Sequence, residues 1–220
     1  MLCGHEKKFI YLKTRKTAGT SVEIFFERFC MPSRQFHESR TTKQIISETG
    51  IVGARGTLLI KPDFYNHMPA SEVRTKLGRE IFDSYYKFCV TRNPFDKIVS
   101  HFWWDSRKVP DFSNDPFSKI RHRFAEYVSQ GFGGFNDHFI FMVDGYPVID
   151  EFIRYEYLSS DIEQVCRALD IDISVELGSY RTEFRKRPEH FSEYYDSATK
   201  EFVEREFTWE MDRFNYTLSG

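Results

Sequence analysis

Phe9-Ile10-Tyr11-Leu12-Lys13-Thr14-Arg15-Lys16-Thr17-Ala18-Gly19-Thr20-Ser21-Val22-Glu23 is the stretch on which the fold turns. Its first four residues are apolar, follow a charged lead and read as a buried strand. Polar residues with one glycine come next, and from Val22 to Phe29 the apolar positions recur at helical spacing. Strand, loop and helix in that order is the unit from which α/β domains are built. A helix start presents unpaired amides and the positive end of its dipole, which together attract phosphate. Here Gly19 lets the backbone approach closely, Thr20 and Ser21 offer hydroxyls, and Lys16 supplies a mobile cation. The order differs from G-x-x-x-x-G-K-[ST], because Lys16 precedes Gly19. Taken alone, a capped helix start accounts for the same residues.

A second junction of this kind lies 76 positions on (92 − 16). Tyr86 to Thr91 reads as a strand, ended by Arg92-Asn93-Pro94, with a helix following to about Asp105. The start signals agree: Asn93 as N-cap, Pro94 at the first helical position, Asp96 in the first turn. Arg92 ends a strand at its carboxyl side, where open α/β sheets bind ligands, and Ser100 is two turns into the helix, facing back toward it. A guanidinium fork with a hydroxyl suits a terminal phosphate, and a pairing with an acidic neighbour is the other role for such an arginine. In a parallel sheet both junctions open on one edge, so a single ligand with two phosphate groups is expected to bridge them.

The remaining elements extend the alternation. Expected are a short helix near Thr42 to Glu48, a strand at Thr57 to Ile60, and a helix from Ser71 to Leu77 capped by Ser71. Pro110 to Pro116 reads as loop, Phe117 to Ser129 as helix, and glycines 131, 133 and 134 as a turn. A strand at Phe152 to Tyr155 leads into a helix from Ser160 to Leu169, and the tail from Glu189 to Phe207 reads as helix, with a short turn near Trp209 to Phe214. The pattern predicts a single α/β domain over residues 1–220, three-layer α/β/α with a central, largely parallel sheet.

Composition excludes several classes. The net charge is −2 with basic and acidic residues mixed along 220 positions, whereas a nucleic-acid binder carries a basic excess or stripe. No apolar run reaches the length of a transmembrane helix, and Met1 to Lys8 has no apolar signal-peptide core. Cys3, Cys30, Cys89 and Cys166 are scattered, without zinc-ligand spacing, and read as reduced thiols of a cytoplasmic protein. No carboxylate cluster has metal-site spacing, so no metal is expected. Aromatic residues make up 17%, which an aromatic core or a sugar-stacking surface both use. Core packing is the reading for at least one of Trp103 and Trp104.

Phe9 to Glu23 resembles the 5′-phosphosulfate loop of the sulfotransferase superfamily, and Lys87 to Trp104, K-F-C-V-T-R-N-P-F-D-K-I-V-S-H-F-W-W, resembles its 3′-phosphate motif. The likeness is nearest to carbohydrate (glycan O-) sulfotransferases and their bacterial and viral relatives, and Tyr194-Tyr195 through Phe214-Asn215-Tyr216 resembles that family's C-terminal helical region. The resemblance implies a P-loop-like sulfotransferase fold. It also implies a donor, 3′-phosphoadenosine 5′-phosphosulfate, and an acceptor hydroxyl on a carbohydrate. Carried over residue by residue, Arg15, Lys16, Thr17, Ala18, Gly19, Thr20 and Ser21 face the 5′ end of the donor, and Arg92 and Ser100 take its 3′-phosphate. Arg15 stands where many members have proline, which adds charge near the phosphosulfate.

By analogy with phosphoryl transfer, positioning and electrostatics dominate such chemistry. Lys16 is the candidate for stabilising the leaving oxygen. His67, in Tyr65-Asn66-His67-Met68-Pro69-Ala70, is the candidate base, with Glu72 and His101 as rivals and local packing as the alternative. Arg185-Lys186-Arg187 before Pro188 is a basic cluster that reads as a solvated loop, with an approach to the donor's phosphate or to an acidic acceptor as the other roles. Two other functions fit phosphate-binding turns: a nucleotide-dependent kinase, which the displaced lysine and the want of a magnesium-binding acid argue against, and a non-catalytic nucleotide- or glycan-binding module.

Overall fold

The computed structural model describes residues 1–56, 62–131, 136–172, 185 and 187–220. In chain order the strands and helices begin β1 Leu2–Gly4, β2 Phe9–Tyr11, α1 Gly19–Glu27, β3 Ile45–Ser47, β4 Gly50–Val52, α2 Ala70–Leu77, α3 Arg79–Ser84 and β5 Tyr86–Thr91. They continue α4 Pro94–Ser106, α5 Phe117–Ser129, α6 His138–Phe141, β6 Met142–Val143, β7 Tyr146–Pro147, β8 Glu151–Arg154, α7 Leu158–Ala168, α8 Ser197–Glu206 and α9 Thr208–Phe214. The expected strand at Thr57 to Ile60 lies outside the described residues, as do glycines 133 and 134.

The chain groups into two compact units, Met1–Thr91 with Asp137–Arg181, and Arg92–Asn136 with Thr182–Gly220. In the first, six strands form a mixed sheet in the order β3-β4-β1-β2-β5-β8. Only β2, β5 and β8 run parallel. The other three pairings are antiparallel, which corrects the expectation of a largely parallel sheet. For the two hairpins connection length is the reason: four residues join β1 to β2 and two join β3 to β4, whereas a parallel pair needs a crossover of about a dozen or more. The segment read as a helix near Thr42 to Glu48 is therefore the strand β3, paired with Gly50 to Val52. Gly50 is required there, because a Cβ would sit 2.3 Å from the Cys3 carbonyl oxygen.

Strand alternation sends Leu2, Phe9, Tyr11, Phe88, Val90 and Ile153 to one face. There they meet Val22, Phe25 and Phe26 of α1 and Ile162, Val165 and Cys166 of α7. The opposite face carries Ile10, Cys89 and Phe152, all buried. Phe152 packs edge-on against Phe141 of α6, and Lys87, in register with Ile10, lies over Phe82 of α3. Helices thus cover both faces of an α/β sheet.

The second unit is helical, and much of the aromatic content goes into its core. Phe95, Phe102, Trp103, Phe124, Tyr194, Tyr195 and Phe207 are buried together. Trp103 Nε1 donates to Tyr194 Oη at 3.1 Å, and Tyr195 Oη donates to the Phe95 carbonyl at 2.8 Å, so the polar handles are satisfied. The tail expected as one helix is broken. Asp196 accepts from Thr199 N while the Thr199 hydroxyl accepts from Asp196 N, and this reciprocal cap starts α8 afresh.

Candidate functional site

The loop between β2 and α1 is fixed from below by polar residues of the first unit. Thr14, buried, donates its hydroxyl to the Val90 carbonyl on β5, and the Thr17 hydroxyl donates to Thr14 Oγ1 at 2.8 Å. Lys13 is also buried and reaches Glu23 at 2.7 Å, Thr20 Oγ1 at 3.2 Å and Asn66 Oδ1 at 3.3 Å. Arg55 adds a second cation on Glu23, at 3.3 Å. Burial alone would raise the Glu23 carboxyl, but Lys13, the amino group of Met1 and Arg55 hold it down at about 2. Gly19 has a structural duty here, since a Cβ would press on the Lys13 stem at 3.0 Å.

Above this base the backbone alternates the sign of φ: Lys16 is at 59° and Ala18 at 56°, while Arg15, Thr17 and Gly19 are not positive. Such alternation turns successive N–H groups into one hollow, the nest arrangement that binds anions. Among the described residues, the amides of Thr17, Ala18, Gly19 and Thr20 donate to no protein acceptor, and α1 has no side-chain cap. Eight described non-glycine residues have positive φ, four of them Asp or Asn, which tolerate it. Of the other four, Lys16, Ala18 and His67 all belong to this site.

His67 is brought to the loop. Its Nδ1 lies 3.0 Å from the Lys13 carbonyl, which only accepts, so the ring proton is on Nδ1 and the Nε2 lone pair is left available as a base. Burial, reinforced by the Lys13 charge, lowers its pKa to about 4. Its rival Glu72 accepts from the Tyr65 hydroxyl at 2.5 Å.

Several predicted roles change. Arg15 does not add bare charge: its backbone N and Nε both donate to the buried Asp137 carboxylate, at 2.9 and 2.6 Å. The Thr17 hydroxyl is turned inward and the Ser21 side chain is buried, so in this loop the chemistry left partly accessible is backbone, Lys16 and Thr20. Asp137 was not foreseen, because nothing in the spacing links it to a partner 122 positions away.

In the second unit, Asn93 Oδ1 accepts from Phe95 N and caps α4, with Pro94 in its first turn, as the sequence predicts. Arg92 Nε and Nη2 donate to Asp96 Oδ2 at 2.9 and 2.6 Å, a pairing with an acidic neighbour. Arg185 Nη1 reaches the other oxygen of the same carboxylate at 3.3 Å, while Arg187 is held by Glu189. Lys186 lies outside the described residues. Ser100, four residues after Asp96, shares its helix face and therefore the Arg92 side of α4. His101, half-buried, follows it. Trp103 is core, and Trp104 is partly exposed beneath Arg107.

Among the described residues no group of His, Cys, Asp or Glu is placed to hold a metal ion, and no helix is long and apolar enough to cross a membrane. No family model and no solved structure matches the chain. An uncharacterized protein of Archaeoglobus fulgidus is 32% identical over 105 residues, which are 47% of this chain and 83% of that protein. Identity at that level over most of the archaeal chain is a family relation, and the protein belongs to one family with that uncharacterized archaeal protein.

Proposed function

We propose that the protein is a sulfotransferase of P-loop-like fold that uses 3′-phosphoadenosine 5′-phosphosulfate and acts on an acceptor hydroxyl, on a carbohydrate as the motif resemblance implies. The observation that carries the reading is the β2–α1 loop, whose alternating φ and unengaged amides form an anion cradle beside Lys16, with the His67 ring bonded to its backbone. When bound, the donor supplies the sulfuryl group and leaves as adenosine 3′,5′-bisphosphate. The amides of Thr17 to Thr20 hold its 5′-phosphate, and Lys16 offers positive charge to the oxygen from which sulfur departs. His67 receives the acceptor's hydroxyl proton at Nε2 as the new oxygen–sulfur bond forms. Arg15, engaged by Asp137, positions the loop.

Arg92 and Ser100 take the 3′-phosphate in this reading, with Arg185 supplying the second guanidinium on Asp96. The Asp96 pairing orients the Arg92 guanidinium just before α4. Calorimetry with adenosine 3′,5′-bisphosphate, adenosine 5′-phosphate and magnesium ATP, followed by transfer of labelled sulfate onto an acceptor panel, tests the proposal. The bisphosphate is expected to bind best, and Arg92→Ala and Ser100→Ala are each expected to cut that preference by about tenfold. Tighter binding of magnesium ATP would favour a kinase. Binding of the bisphosphate without transfer to any acceptor would favour a non-catalytic module.

A further inference from the structure

The start of α6 sets an aromatic ring beside the loop that carries Lys16. In Asp137-His138-Phe139-Ile140-Phe141, Ile140 and Phe141 are buried, and Phe141 meets Phe152 of β8 edge-on at 5.5 Å. Asp137, also buried, accepts from the Arg15 backbone N and Nε. Phe139, between these anchors, is left 46% exposed. A lone exposed ring is ordinary on a protein surface. This one has a fixed neighbour: the Arg15 guanidinium carbon lies 5.4 Å from its centroid, and Asp137 holds that guanidinium in place. A ring positioned before a ligand arrives loses little freedom when the ligand binds.

Phe139 and His67 flank one short run of backbone. His67 bonds the Lys13 carbonyl, Phe139 meets Arg15, and two residues of chain span at most about 7 Å. Burial lowers the His67 pKa and the Asp137 charge opposes it, which puts the start of α6 within electrostatic reach of the base. The two also share a face of the sheet. Helix α2, which begins three residues after His67, packs on α6, while α1, whose start closes the amide cradle, covers the other face. The cradle is the donor's place in the proposed reaction, so the α2 and α6 side is left to the acceptor. A ring half open to water and bordered by Arg15 suits a saturated, hydroxylated ring, which lays its C–H face on the aromatic and keeps its hydroxyls hydrated. A flat apolar acceptor would call for an enclosed apolar pocket instead.

We infer that Phe139 is the platform on which the acceptor stacks, and that the stacking group is a pyranose ring. The inference rests on the transfer reading above, and its test is a binding measurement that needs no donor. Saturation-transfer NMR uses methyl β-D-galactopyranoside, methyl β-D-glucopyranoside and N,N′-diacetylchitobiose as probes, with p-cresol as the flat apolar comparator. Saturable binding of at least one sugar is expected, with its ring C–H protons taking up the most saturation and p-cresol binding more weakly. Phe139→Ala, at an exposed position, is expected to weaken that sugar by about tenfold, and Phe139→Trp to restore it. Calorimetry with adenosine 3′,5′-bisphosphate is expected to give one affinity for wild type and both variants. A bisphosphate that fails to bind the wild type would strike the transfer proposal. Sugar binding that Phe139→Ala leaves unchanged would overturn the platform, as would p-cresol binding more tightly than every sugar, or saturation by none of them.

Discussion

His67 shows how one hydrogen bond can fix both a tautomer and a conformation. Its backbone is in the left-handed region, and the bond from Nδ1 to the Lys13 carbonyl holds it there. The unfolded chain protonates near pH 6.5 and the folded one only at about 4. As pH falls through that window the unfolded state takes up a proton that the folded state refuses, so stability drops. His67→Asn tolerates the same φ and can still donate to Lys13. Denaturant titrations should show its stability losing about one proton's worth of slope between those pH values, and an unchanged slope would refute the assignment. Lys16→Ala is expected to lower sulfate turnover by about 100-fold or more while leaving the cradle intact. Near-normal turnover would remove Lys16 from the mechanism. Of these residues, Lys16 was legible from its place before a helix start. Asp137 was not, since a contact across 122 positions leaves no local pattern.

At the level of elements, the loop stands on a buried charge network below it. Glu23 is fully buried and receives Lys13 and Arg55 from different segments. Glu23→Gln removes the charge but not the shape, leaving buried cations uncompensated. The expected loss is about 3–5 kcal/mol, read from chemical denaturation, and a change below about 1 kcal/mol would mean the network is dispensable. Because the Glu23 carboxyl is depressed to about 2, its contribution is whole above pH 4.5 and fades as pH falls toward 2, a range below that of His67. Elements with strong local signals were readable: β5, α4 with its Asn93-Pro94 start, and α5. The three-residue strands β1, β3 and β4 were not, because so short a run carries no period and is held by its partners in the sheet.

For the whole molecule, sequence alternation gave the class and short connections decided the two hairpins of the sheet. The same division into two units also sorts the natural probes. All four cysteines, every one buried, belong to Met1–Thr91 with Asp137–Arg181. All three tryptophans, Trp103, Trp104 and Trp209, belong to the other unit. Burial pushes the Cys3 thiol up to about 12 and Cys166 to about 11, so native thiols resist alkylation. A disulfide reagent should therefore modify almost none of them until denaturant opens the sheet. Indole emission reports the helical unit over the same titration, without any label. Curves that superimpose would make the chain one cooperative machine, and curves that separate would let each half be timed by a colour and a glow of its own.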